Sequence, residues 1–268
     1  MLQESRDLVA EADALHAFLS TLKEDDWSRP TAFQRWTPWD VVAHLHFYDQ
    51  MSLAALAGRD AFAARRDVVI RAARDGVSNA ELARSEYGEL APAALLERWI
   101  RSCRDMAERL GASDPKGRLP WFGPDMGVRM FTTARLMETW AHGQEVYDLL
   151  GVTRSPTDRL LHIATIGVKT FGWTFANRRQ EPPGPPPYVR LVAPSGAIWE
   201  WNEPSEQECV RGDALDFCLV VVQGRNVADT ALEVAGPVAT RWMSIAQCFA
   251  GPPVDPPKPG ERRTPSRS

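Results

Sequence analysis

From residue 1 to about 178 the apolar residues recur at steps of three and four, and beyond a proline-rich break the step shortens to two. That change of period restricts the fold most, because 3.6 and 2.0 are the periods of an amphipathic helix and a half-buried strand. Leu8, Ala12, Leu15, Leu19 and Leu22 form one helical stripe over residues 3–23. The stretch 37–58 opens on Thr37 as an N-cap with Pro38 at the first helical position, and Gly58 closes it. A third helix spans about 91–110, between Pro92 and Gly111, and a fourth spans 129–150 after the loop "LPWFGPDMG". A further helix covers about 156–178. The fold class expected is mainly α with a small α+β part. Its first piece is an up-and-down four-helix bundle over residues 1–180.

The segment 181–187, within "EPPGPPPYV", reads as an extended connector. Beyond it "YVRLVAP", "AIWEW", "ECVRG" and "TALEVAG" read as short strands, with "APSG" as a turn. "ALDFCLVVVQGR" and "VATRWMSIAQCF" read as helices, which makes residues 188–250 a small α+β domain. The proline-rich, charged tail 251–268 is predicted to be disordered.

The charge balance, 31 basic against 35 acidic residues, gives no basic excess that would favour nucleic acid or an anionic membrane. No apolar run approaches the roughly 20 residues of a spanning helix, and the N-terminus lacks a signal-peptide core, so a cytoplasmic protein is expected. The cysteines 103, 209, 218 and 248 form no CxxC pair and read as buried thiols.

The stretch "RLMETWAHGQEVYDLLG" places Glu138 and His142 four apart, so both side chains leave one helical face beside an apolar stripe. His44 and His46 are two helical steps apart and point to opposite sides; the neighbours Val41, Leu45 and Tyr48 turn His44 inward and leave His46 to solvent or to support of a ligand. His16 and His162 have no polar company in the sequence and read as ordinary helix residues. His44, Glu138 and His142 together offer two nitrogens and one oxygen, a zinc ligand set that keeps a fourth position open. A buried Glu–His hydrogen bond without metal is the other reading of the same spacing. Asp40, Asp49, Gln144 and Glu145 lie close enough in sequence to accept the remaining imidazole N–H groups.

"TPWDVVAHLHFYD", "LPWFGPDMGVRMFTTARLMETWAHGQEVYDLLG" and "FAGPP" resemble the mycothiol-dependent maleylpyruvate isomerase superfamily, and within it an uncharacterised actinobacterial metal-binding branch. The first part resembles the DinB-like four-helix bundle. "VRGDALDFCLVVVQGRNVADTALEVAG" resembles that superfamily's small C-terminal domain, of sterol-carrier-like α+β type. The resemblance implies metal ligands at His44, Glu138 and His142, with Arg225 as counterpart of an arginine the isomerase uses for catalysis. It implies a divalent metal, with zinc favoured by ligand type, and mycothiol or a similar thiol as cosubstrate. The activity implied is isomerisation or S-transfer on a small electrophile. In the isomerase the thiol adds to a double bond, permits rotation and leaves. Hydrolysis at the metal, or metal and small-ligand binding without catalysis, are the alternatives. Trp121 and Phe122 could wall the pocket. The expected partners are the thiol and a small-molecule substrate, with no nucleic acid and no membrane, in a monomer or homodimer.

Overall fold

The computed structural model describes residues 1–262, and they divide into two compact units, Met1–Leu150 and Gly151 onward. In the first unit four long helices form a bundle: α1 (Gln3–Leu19), α2 (Pro38–Ala57), α5 (Pro92–Ala112) and α6 (Val128–Leu150), with α3 (Arg59–Arg74) and α4 (Asn79–Tyr87) between the second and third. Thr37 caps α2 as expected: its side chain accepts from the Asp40 N–H, and Asp40 reaches back to the Thr37 N–H.

α1 and α2 each pack against α5 and α6. Side-chain pairs fix the directions. Glu4 meets Arg129 and Phe18 stacks on Tyr147, so α1 and α6 run together. Asp13 meets Arg104 and His16 meets Glu97, so α5 runs against α1. The Trp39 indole donates to Leu90 O just before α5 while His46 meets Ser102, so α2 runs with α5. The order is therefore up, down, down, up. Strict alternation fails between α2 and α5 because residues 59–90 are two helices that return the chain, not a turn. The Ser78–Glu81 capping box that starts α4 was their signal in the sequence. α2 is buried around most of its circumference, wedged among α3, α4, α5 and α6.

The loop "LPWFGPDMG" contains a hairpin rather than irregular chain: β1 (Arg118–Leu119) pairs antiparallel with β2 (Met126–Gly127) and leads into α6.

The second unit begins earlier than the proline-rich connector suggested. The sequence extends the bundle to about 180, yet the units divide at Leu150/Gly151. The expected helix over 156–178 is two helices, α7 (Leu160–Lys169) and α8 (Phe171–Asn177), broken at Thr170, and both belong to the second unit. The reason is packing: Gly167 on α7 lets α9 (Ala214–Val221) approach so closely that a Cβ there would lie 2.9 Å from Val221. β3 (Tyr188–Val192), β4 (Ile198–Trp201), β5 (Cys209–Asp213) and β6 (Glu233–Ala235) form one sheet in the order β4-β3-β5-β6. β3 and β5 are parallel, and the outer pairings are antiparallel. Val189, Leu191, Val210, Phe217 and Trp242 make its core. The last helix, α10 (Pro237–Met243), stops six residues short of the expected Phe249.

Residues 251–262 are not the disordered tail that their composition predicted. Asn226 donates to Pro257 O, Gln223 to Val254 O, and Gly260 N–H to Asp229, while Arg178 pairs with Asp255. Side chains of the second unit thus satisfy a backbone that proline leaves poor in donors. Residues 263–268 of that expectation lie outside the described residues.

Candidate metal centre

α2 and α6 run antiparallel, which sets His44 opposite Glu138 and His142. One Glu138 oxygen lies 3.4 Å from His44 Nε2 and 3.2 Å from His142 Nε2, and the three donor atoms all fall within 4.8 Å of one another. Bonds of 2.0–2.1 Å to a tetrahedral cation would separate donors by roughly 3.3 Å. The donor set, and the spacing of the Glu138 oxygen from each imidazole nitrogen, therefore suit a divalent metal such as zinc. The two imidazole rings are 4.6 Å apart at their centres.

The electrostatics favour the same charge state that metal binding requires. Burial pushes His44 down to about 4, against the pull of Glu138, so its imidazole is neutral at pH 7. Burial pushes Glu138 up, but the hydrogen bonds and charges of His142 and His44 outweigh it and hold the carboxyl well below its usual value.

Aromatic rings enclose the trio. Trp36 stacks on His142 at 5.3 Å and tilts over His44 at 4.8 Å, Phe33 meets His142 edge-on, and Tyr48 lies 4.8 Å from His44. Gln34 and Arg35, between the first two, both hold left-handed backbone at φ 48° and 58°. That turn, closed by Thr31 N–H to Trp36 O, delivers Phe33 and Trp36 to the site. Sequence reasoning missed Phe33, Trp36 and Tyr48; the tryptophan next to a helix N-cap was the one available signal. Trp121 and Phe122 sit farther out, against Tyr48 at 6.4 and 6.2 Å and around Phe62.

Three of the expected acceptors for the outer imidazole nitrogens are engaged elsewhere. Asp40 caps α2 and pairs with Arg84, Asp49 pairs with Arg135, and Gln144 donates to Asp148. His44 Nδ1 is buried without a protein partner. His46 does face away from His44, but it is buried rather than solvated, with Nδ1 3.0 Å from Ser102 Oγ. His16, read as lacking polar company, pairs with Glu97 at 2.9 Å because α5 brings a carboxylate the local sequence does not show. All four cysteines are buried and unpaired in disulfides.

Arg225 belongs to the second unit, following α9. It is 1% exposed, and its Nη1 donates to Gly224 O.

The family model of the mycothiol maleylpyruvate isomerase N-terminal domain matches residues 8–147, which contain all three donor residues. The chain belongs to this family. An uncharacterized protein of Mycobacterium tuberculosis, recorded in two strains, is 39% identical over 247 residues, covering 92% of this chain and 95% of the relative. The crystal structure of the mycothiol-dependent maleylpyruvate isomerase shares the fold, with a TM-score of 0.52 at 13% identity over 81% of this chain and 87% of that one. A mutant of that isomerase matches with a TM-score of 0.51 at 12% identity over the same shares. Among the described residues no helix is long and apolar enough to cross a membrane.

Proposed function

We propose that this family member is a metal-dependent enzyme that uses a low-molecular-weight thiol of the mycothiol class, in isomerisation or S-transfer on a small electrophile. The observation that carries the reading is the convergence of His44, Glu138 and His142, donor atoms within 4.8 Å, in an aromatic-walled part of the bundle. The family's thiol dependence supports the rest.

A divalent cation, zinc by ligand type, would be held by His44, Glu138 and His142, and when bound it favours the thiolate over the thiol of a cosubstrate at neutral pH. His44 presents a neutral imidazole, and Glu138 supplies one negative charge that offsets part of the cation's two. Trp36, Phe33 and Tyr48 pack against the two imidazoles and keep them oriented. No protein cysteine serves as the nucleophile in this scheme: burial raises the Cys103 and Cys218 thiols well above their ordinary value, which suits a reaction whose sulfur comes from a small molecule. Arg225, by its place in the family resemblance, would hold a substrate carboxylate through two parallel N–H bonds.

The test is metal content by mass spectrometry on untagged protein beside His142→Ala, followed by assay with and without an added thiol. About one equivalent of metal in the wild type, lost in the variant, with turnover only when thiol is present, is the expected result. Protein that takes up no zinc when it is offered overturns the metal site. Turnover that needs no thiol overturns the thiol role in favour of hydrolysis.

A further inference from the structure

On the side of α2 away from His44, a cleft of about 390 Å³ opens between α2, the end of α4 and α5. That volume lies within the roughly 300–1,000 Å³ of small-ligand sites. Its chemistry differs from that of the metal centre. Arg98 and Arg101, one helical turn apart on α5, line it, and both are exposed. No carboxylate among the described residues pairs with either guanidinium. Neighbouring arginines do find partners: Arg104 pairs with Asp13, Arg109 with Asp105, and Arg65 with Glu86.

The one carboxylate in the cleft is already committed. Glu86 accepts from Arg65 at 3.0 and 3.2 Å and from the Tyr87 hydroxyl at 2.8 Å. Two uncompensated positive charges therefore remain. Behind them is a built polar wall. Gln50 Nε2 donates to Ser102 Oγ at 2.9 Å, and Ser102 Oγ lies 3.0 Å from His46 Nδ1. Two planar guanidinium forks beside the Gln50 amide, with no free acceptor charge, suit a compact anion with several oxygens.

We infer that this cleft binds a phosphate group, as inorganic phosphate or a phosphate monoester, at a site separate from the metal centre. The inference does not rest on the proposed thiol chemistry, since none of its residues is a metal donor.

Titration calorimetry of the full chain with inorganic phosphate, at ionic strength held constant with chloride, tests it. Saturable one-to-one binding is expected, weakened about tenfold or more by the double substitution Arg98→Ala, Arg101→Ala, which removes two exposed side chains and spares the core. Arg104→Ala, on the same helix but paired with Asp13, should leave the affinity unchanged, and so should prior treatment with a chelator. Non-saturable heats with both inorganic phosphate and phenyl phosphate, or equal affinity in the double variant, would overturn the site. Succinate binding as tightly as phosphate would show that the cleft reads charge alone, and the phosphate assignment would fall. Titration with phenyl phosphate separates a bound monoester from the free ion: the ester alone binding identifies the monoester, and both binding identifies a phosphate-group site.

Discussion

Arg135 donates from Nε and Nη2 to one oxygen of Asp49, at 3.2 and 2.9 Å, and both side chains are buried. The same Nη2 lies 3.4 Å from Leu45 O, the carbonyl just after His44, while Arg135 itself stands one turn before Glu138. The pair thus ties α2 to α6 beside the candidate metal donors His44, Glu138 and His142. Removing one partner strands a buried charge. Asp49→Ala should cost roughly 3–5 kcal/mol in denaturant unfolding. The apolar double replacement Asp49→Leu, Arg135→Met should recover much of that loss; a double variant as unstable as the single one would show that the pair stabilises beyond mutual neutralisation.

The two histidines of α2 should separate cleanly. His44→Ala should abolish stoichiometric metal, whereas His46→Ala, on the opposite face against Ser102, should retain it. Equal metal loss in both, read by mass spectrometry on folded protein, would refute the assignment of His44.

Acid should destabilise the metal-free protein before most carboxylates titrate. Burial holds His44 and His46 at about 4 in the folded state, below the ordinary 6.5, so the unfolded chain binds more protons between those values. Stability then rises with pH across that window and is lost as pH falls from 6.5 to 4, by up to roughly 3 kcal/mol per histidine. Glu138 adds to the trend at lower pH: its contribution is present above its unfolded value and disappears as pH drops through its lowered folded value. Urea midpoints at pH 7 and pH 5 measure the slope, which His46→Gln should flatten.

The turn that carries Trp36 depends on left-handed backbone at Arg35, φ 58°. A β-branched residue is strained there and glycine is not. Arg35→Val should cost about 1–2 kcal/mol, and Arg35→Gly should be neutral or stabilising. Thermal melts check the sign, and metal affinity should weaken only in the valine variant.

Truncation after residue 250 should lower the unfolding temperature of the second unit. It removes one of the two acceptors of Gln223, the Pro257 carbonyl that Asn226 donates to and the partner of Arg178, and Gln223 is only 7% exposed. An unchanged melting temperature would mean that water replaces these contacts without cost.

Local period was enough to read the four bundle helices, the strands of the second unit and the shared face of Glu138 and His142, because each depends on residues a few positions apart. The opposite facing of His44 and His46 also followed from their spacing. Tertiary structure alone decided what depends on distant chain. The parallel run of α2 and α5 required α3 and α4, and α7 joined the second unit because Gly167 fits against Val221. The Arg135–Asp49 pair spans 86 positions and the Trp36–His142 stack more than a hundred, so neither leaves a local pattern. His46 was misread as facing solvent for the same reason. A side chain's burial is set by what the rest of the chain lays over it, and polar residues reach the interior wherever distant partners satisfy them.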